Sequence, residues 1–101
     1  MIIRVTQDRV ELQDADEFKS FKIAAAGLSP DALRAALRDV ATVDTDGKTA
    51  WVTRAAIRRL RGEPVPTAWL TAFERMIESV RRFGWVNDTD GTVRAHIESE
   101  P

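Results

Sequence analysis

The last third of the chain, residues 53–97, constrains the fold most strongly. A short Arg-rich segment with helical spacing is followed by a Gly-Glu-Pro-Val-Pro turn and then by a longer amphipathic segment. Residues 84–97 have the pattern of a β-hairpin, because Val93, Ala95 and Ile97 alternate with polar side chains after a turn. The sequence therefore predicts helix, turn, helix and hairpin, in that order.

Residues 1–12 have the pattern of a half-buried β-hairpin. Two short runs, in which apolar and polar side chains alternate, are separated by the polar residues 6–9. The apolar positions of these runs are Ile3, Val5, Val10 and Leu12.

A helix is predicted next, beginning at Asp14. Glu17 lies three residues on, at the spacing of a capping box, and Gly27 suits the left-handed conformation that ends many helices. One face of this helix would carry the apolar residues Phe18, Phe21 and Ala25. Because residues 21–25 also alternate, an extended segment is the alternative.

The middle of the chain predicts further helices around a β-rich segment. Ser29 and Pro30 are suited to start a helix over residues 29–41. Residues 41–52 are rich in β-formers around an Asp-Thr-Asp-Gly turn, so either both flanks are strands or only residues 48–52 are. Beyond this segment, helices are predicted over residues 53–61, with Thr53 as the cap, and over residues 67–83, with an apolar stripe that includes Phe83.

Length and composition indicate one α+β domain spanning residues 1–101. The chain has 44% hydrophobic residues, enough for a core, and no cysteine, which excludes disulfides and thiolate chemistry. No apolar run approaches the roughly 20 residues that span a bilayer, and residues 1–5 do not resemble a signal peptide. We therefore expect no membrane partner and a cytoplasmic location.

We find no set of residues that predicts catalysis. The tetrapeptide Asp-Thr-Asp-Gly occurs at residues 44–47 and 88–91, but neither copy is followed by the glutamate that closes a calcium-binding loop, so both are interpreted as hairpin turns. The single histidine, His96, is predicted to face solvent beside Arg94 and Glu98. The sequence predicts no catalytic, cofactor-binding or metal-binding residues, and the protein is not expected to be an enzyme.

Positive charge is concentrated in residues 54–85, where seven Arg face three Glu, although the whole chain has a net charge of −1. Arg54, Arg58 and Arg61 have the i, i+4, i+7 spacing that places them on one helix face, where they would grip phosphates or an acidic partner surface. The alternative is a solvated face balanced by nearby acids. The candidate interaction residues are Arg54, Arg58, Arg59, Arg61, Arg81 and Arg82.

The three tryptophans, Trp51, Trp69 and Trp85, lie among apolar neighbours in patterned segments. All three are predicted to pack in the core, with Trp85 sealing the long helix against the hairpin.

The element order over residues 29–98 resembles that of the winged-helix superfamily, in which a three-helix unit precedes a two-stranded wing. The resemblance implies that the helix over residues 67–83 occupies the position of a groove-reading helix. This chain departs from that pattern, because residues 67–71 have no Arg, Lys, Asn or Gln and the wing tip, residues 87–90, is acidic. Winged-helix units also serve as protein-interaction modules.

Two hypotheses follow. The first is a non-catalytic interaction or scaffold domain that binds an acidic protein surface through its arginines, or that self-associates, as a dimer for example, through the edge of the N-terminal hairpin. The second is a small winged-helix DNA-binding regulator that contacts phosphates through Arg residues, which the charge pattern disfavours.

Overall fold

The computed structural model describes the backbone of residues 1–100 and the side chains of residues 1–99, with three helices and a curled seven-stranded sheet. In chain order the elements are β1 (Ile2–Val5), β2 (Val10–Gln13), β3 (Lys22–Ala26), α1 (Pro30–Ala36), β4 (Ala41–Val43), β5 (Thr49–Val52), α2 (Arg54–Arg61), α3 (Thr67–Arg81), β6 (Val86–Asn87) and β7 (Thr92–Glu100). The predicted α+β class is confirmed.

The sheet has the strand order β2-β1-β3-β7-β5-β4, and β6 pairs with β7 beside this path. The N-terminal hairpin, β1 with β2, is present as predicted. Strand β3 is parallel to both of its neighbours, with Ile23 opposite Ile3 on one side and opposite Ile97 on the other. Strand β7 is antiparallel to β5, which forms a second hairpin with β4. Both flanks of the first Asp-Thr-Asp-Gly turn are therefore strands.

The helix predicted to begin at Asp14 and to be ended by Gly27 is wrong, and the extended alternative describes its second half. Residues 22–26 form the strand β3, in which Ile23, Ala24 and Ala25 are all buried. A strand in the middle of a sheet buries side chains on both faces, so its apolar run also fits helical spacing. Asp14 adopts a positive φ of 52° and opens a turn instead of a helix.

Glu17 has a role that the capping-box interpretation missed. Its carboxylate accepts hydrogen bonds from the backbone N–H groups of Lys19 and Ser20 and from the α-amino group of Met1. That amino group also donates to the carbonyl oxygens of Glu17 and Ser20, at 2.9 and 3.0 Å. Residues 17–20 therefore fold around the start of β1 and lead directly into β3.

The C-terminal hairpin is present, but it is not a separate wing. Val86 pairs with Val93 and Asn87 with Thr92, as expected of residues 84–98. Strand β7 then continues into the middle of the sheet, with β5 on one side and β3 on the other. The winged-helix arrangement is therefore not confirmed, because the sheet is much larger than a two-stranded flap.

The three helices start close to their predicted positions. The Ser29 and Thr53 hydroxyls accept hydrogen bonds from the N–H groups of Ala32 and Ala56, capping α1 and α2 as expected. Helix α3 ends at Arg81, so Phe83 lies outside it. None of the helices in residues 1–100 combines the length and apolar content that crossing a membrane requires.

The hydrophobic core lies between the helices and one face of the sheet. Alternate strand residues, such as Ile3, Ile23, Val52, Ala95 and Ile97, are buried there. The helices contribute Leu33, Ala56, Ile57, Trp69, Phe73, Met76 and Ile77 to the same cluster. The intervening strand residues, including Arg94 and His96 of β7, point to the opposite face and are more exposed.

Candidate interaction surface

The predicted arginine face is divided by ion pairs. Arg54 donates from Nε to the carbonyl oxygen of Gly91 at 2.8 Å and from Nη1 to Glu74 at 3.2 Å. Arg81 binds the Glu78 carboxylate through two of its nitrogens and also pairs with Asp88. Both cations are therefore matched by acids of α3 and of the β6–β7 turn.

The pKa values support this neutralisation. Hydrogen bonding to Arg81 lowers the pKa of the Glu78 carboxyl, and the same bond raises the pKa of the Arg81 guanidinium. Each partner therefore stabilises the charged form of the other, and Arg81 would have to leave these acids to bind an anion of a ligand.

Arg58 and Arg59 remain exposed on α2 and have no carboxylate partner among the side chains that the structure describes. Arg59 donates from Nη2 to the backbone carbonyl of Asp39 at 3.2 Å, which orients the side chain but leaves its charge uncompensated. They line a shallow groove with Gly62 and Glu63, and the Glu63 carboxylate places a negative charge at its rim.

Arg61 has a structural role. Its Nη1 donates to the carbonyl oxygens of Gly62 and Pro64, at 3.2 and 3.0 Å, and its guanidinium carbon lies 5.4 Å from the centre of the Trp69 ring. The Arg61 Nε is buried and has no hydrogen-bond partner in the described part of the chain. This side chain is folded against the α2–α3 turn, so Arg61 does not belong to an interaction face.

Arg82, the last of the candidate arginines, lies beside two exposed aromatic rings. Phe83 and Trp85 are 56% and 43% exposed, and their ring centres are 5.5 Å apart. The Arg82 guanidinium carbon lies 4.9 Å from the centre of the Phe83 ring. Large aromatic side chains are seldom left this accessible as a pair, so this cluster is unusual for a surface without a partner.

The aromatic cluster continues into a groove on the open face of the sheet. This groove, of about 320 Å³, is lined by Phe21, Thr49, Trp85, Arg94 and His96, and we call it the Trp85 groove. The Arg94 N–H donates to the Trp85 carbonyl at 2.8 Å, which holds the Trp85 backbone against β7. Arg94 is half-buried, and its guanidinium has no carboxylate partner among the side chains of residues 1–99.

Glu98 is the nearest acid on β7, and it is already engaged. Lys22 donates to its carboxylate at 2.8 Å, and this hydrogen bond lowers the pKa of Glu98, with a smaller contribution from the nearby His96. As predicted, His96 is exposed on the same face as Arg94 and Glu98. Because Lys22 pairs with Glu98, this acid does not compensate the positive charge of Arg94.

Both Asp-Thr-Asp-Gly segments form hairpin turns, as predicted. Gly47 and Gly91 have φ values of 71° and 73°, which glycine adopts without strain. Hydrogen bonds from Thr92 lower the pKa of the Asp90 carboxyl, so this acid is committed to its own turn. Among the described side chains, those of residues 1–99, no three His, Asp or Glu are grouped closely enough to hold a metal ion.

Sequence reasoning missed the aromatic part of this surface. Trp69 is buried as predicted, but Trp85 is exposed and Trp51 is half-buried on the open face of the sheet. A signal was present, because Phe83 and Trp85 flank Gly84, and a helix-ending glycine turns the chain away from the helix axis. The amphipathic stripe of the long helix placed Phe83 in the predicted core, whereas Trp85 was predicted to be there as the residue that seals this helix against the hairpin.

Comparison of the chain with protein-family models, with curated proteins and with solved structures gave no match.

Proposed function

We propose that the protein is a non-catalytic protein-interaction domain whose partner covers Phe83 and Trp85. The observation that carries this proposal is the exposure of these two adjacent aromatic side chains beside an open groove. Interface cores are enriched in aromatic residues and arginine, and Arg82 and Arg94 flank the pair. The positive charge of these arginines favours an acidic partner surface.

This proposal moves the interaction surface from α2 to the end of α3 and the open face of the sheet. Of the arginines predicted from the sequence, Arg82 lies in the new surface, whereas Arg54, Arg61 and Arg81 bind groups of the protein itself. Arg58 and Arg59 provide matched controls, because they are exposed arginines of α2 that do not line the Trp85 groove.

A peptide-display selection tests the proposal. A random library is selected on the immobilised wild-type protein, and enriched peptides are compared on a Phe83→Ser/Trp85→Ser double variant and on an Arg58→Ala/Arg59→Ala double variant. We expect binding to be lost in the first variant and kept in the second. Failure to enrich any peptide, or equal binding to both variants, would contradict the proposal. Circular dichroism establishes that both variants are folded.

Self-association is the other form of this proposal, through the unpaired edge of β2 at one end of the strand order. Size-exclusion chromatography with light scattering over a range of concentrations decides it. A monomer at every concentration eliminates self-association and leaves a different partner protein.

A winged-helix DNA-binding regulator is the alternative, and it has weaker support. The exposed Arg58 and Arg59 favour it, since neither has a carboxylate partner in the described residues. The pairing of Arg54 with Glu74 and of Arg81 with Glu78 and Asp88 weighs against it, because those side chains would have to leave acids to reach phosphates.

A further inference from the structure

The Trp85 groove lies where the strand that pairs with one side of β7 changes from β6 to β3. Strand β6 pairs with this side as far as Val93, and β3 pairs with it from His96 onward. Phe21, just before β3, and Trp85, just before β6, approach this gap from opposite directions. Their rings therefore form apolar walls on either side of Arg94.

The polar groups of the groove come from the central strands. Arg94 and His96 project from β7, and Thr49 lies opposite His96 on β5. The Thr49 hydroxyl donates to the Asp44 carboxylate at 3.2 Å, so that acid is engaged by a neutral group. The other charges are Arg82 and Lys48, which are exposed, and the Lys22–Glu98 ion pair, which is neutral as a unit. Among the described side chains, the Arg94 guanidinium has no carboxylate partner.

A partner at this position must be recognised through its side chains. Strand β7 is hydrogen-bonded to β5 on one side and to β6 and β3 on the other, so no edge of β7 remains for an added strand. A guanidinium beside two aromatic rings instead suits a carboxylate carried close to an apolar group.

We infer that the Trp85 groove binds a carboxylate side chain of an acidic protein segment, with a neighbouring apolar side chain packed against Phe21 and Trp85. The carboxylate would accept hydrogen bonds from the Arg94 guanidinium, which has no carboxylate partner among the side chains of residues 1–99. This inference rests on the proposed function, and it specifies the chemistry of the partner. A protein segment is favoured over a nucleic acid because Arg54 and Arg81 are paired with acids, which leaves local positive charge at the groove and no continuous basic track for a phosphate backbone.

Synthetic peptides test this inference directly. The probe is the blocked hexapeptide acetyl-Glu-Leu-Glu-Phe-Glu-Leu-amide, titrated into the ¹⁵N-labelled protein while the Trp85 indole resonance is followed by NMR. A matched peptide with Gln at every Glu position has the same apolar side chains and no charge. We expect the acidic peptide to shift the Trp85 resonance and the Gln peptide to bind roughly tenfold more weakly, because hydrogen bonds to charged groups are the stronger ones.

Variants of the protein test whether Arg94 binds the carboxylate of the peptide. Arg94→Gln should weaken binding of the acidic peptide by roughly tenfold. Arg94→Lys keeps the charge but loses the bidentate geometry, so it should weaken binding less. Arg58→Gln, on α2, should leave binding unchanged. Equal binding of the Gln peptide, or equal binding to wild type and Arg94→Gln, overturns the inference.

The outcomes separate this inference from the proposed function. If display-selected peptides require Phe83 and Trp85 but bind Arg94→Gln as well as wild type, the interaction domain stands and the carboxylate site does not. If neither selected nor synthetic peptides bind, both fail. A ten-residue oligothymidine that shifts the Trp85 resonance at lower concentration than the acidic peptide also overturns the inference, in favour of a nucleic acid.

Discussion

Arg58 and Arg61 lie one helical turn apart on α2, yet their guanidinium groups have different environments. Arg58 is exposed, whereas Arg61 bridges two backbone carbonyls and stacks on Trp69. Helical spacing places both on one side of the helix, but only the Arg61 side chain binds the carbonyl oxygens of the following turn. A shared helix face therefore does not guarantee a shared function.

Substitution of Arg61 should destabilise the fold. Arg61→Ala removes the hydrogen bonds to Gly62 and Pro64 and the contact with Trp69, at a cost of about 1–2 kcal/mol in the free energy of unfolding. Arg58→Ala, the matched surface control, should change it by less than about 0.5 kcal/mol. Urea unfolding measures both values, and equal stability of the two variants would show that Arg61 is an ordinary surface residue.

Glu17 should make stability depend on pH in the acidic range. Hydrogen bonds from Lys19, from Ser20 and from the α-amino group of Met1 lower the pKa of this carboxyl from 4.5 to about 2. A carboxyl whose pKa is lower in the folded state stabilises the fold above its unfolded pKa, and this contribution disappears as the pH falls toward the folded value. Stability should therefore decrease between pH 4.5 and about 2.

Thermal unfolding at a series of pH values checks this expectation with Glu17→Gln. The variant should be less stable than wild type near neutral pH, and the difference should shrink as the pH falls below 4.5. Glu63→Gln, at an exposed position of the α2–α3 turn, serves as the control, and its stability should have the same pH dependence as that of wild type. A difference between wild type and Glu17→Gln that is constant with pH would contradict the assigned role.

At the scale of elements, β3 and β7 organise the molecule. They are parallel neighbours in the middle of the sheet, and the helices pack on one face of the surrounding strands. The hairpin pattern of residues 84–98 was read correctly from local alternation. The parallel pairing of β7 with β3 joins residues about 70 positions apart, and local patterns carry no information about such contacts.

Amide hydrogen exchange should distinguish a central strand from a free wing. The amides of residues 93–97 lie within paired strands, so they should exchange only on nearly global unfolding. The free energy of opening measured from their exchange should be roughly 5–15 kcal/mol. Amides of residues 88–90, in the exposed turn, should exchange rapidly. If residues 93–97 exchanged as quickly as that turn, the hairpin would behave as an independent wing.

At the scale of the whole molecule, the distribution of charge disfavours non-specific binding of polyanions. The net charge is −1, and Arg54 and Arg81 are paired with acids. The positive charge that remains uncompensated includes Arg58 and Arg59 on α2 and Arg82 and Arg94 near the aromatic side chains. Such a distribution favours local recognition of an acidic group over attraction to a long phosphate backbone.

We therefore expect no binding to random duplex DNA, even at about 50 mM salt, where electrostatic attraction is strong. Fluorescence anisotropy with a labelled duplex measures this, alongside an Arg58→Glu/Arg59→Glu variant. Binding that weakens steeply with salt and disappears in the charge-reversal variant would instead support the DNA-binding alternative.

Local sequence patterns determined the hairpins, the helix caps at Ser29 and Thr53, and the apolar face of α3, because each depends on neighbours only a few residues away. Tertiary structure decided that residues 22–26 form a strand, since a run buried on both faces also fits helical spacing. The tertiary structure also decided which arginines form ion pairs with acids, and it placed Trp85 beside Arg94 on the open face of the sheet. Those contacts join segments distant in sequence, so their energies depend on the assembled sheet.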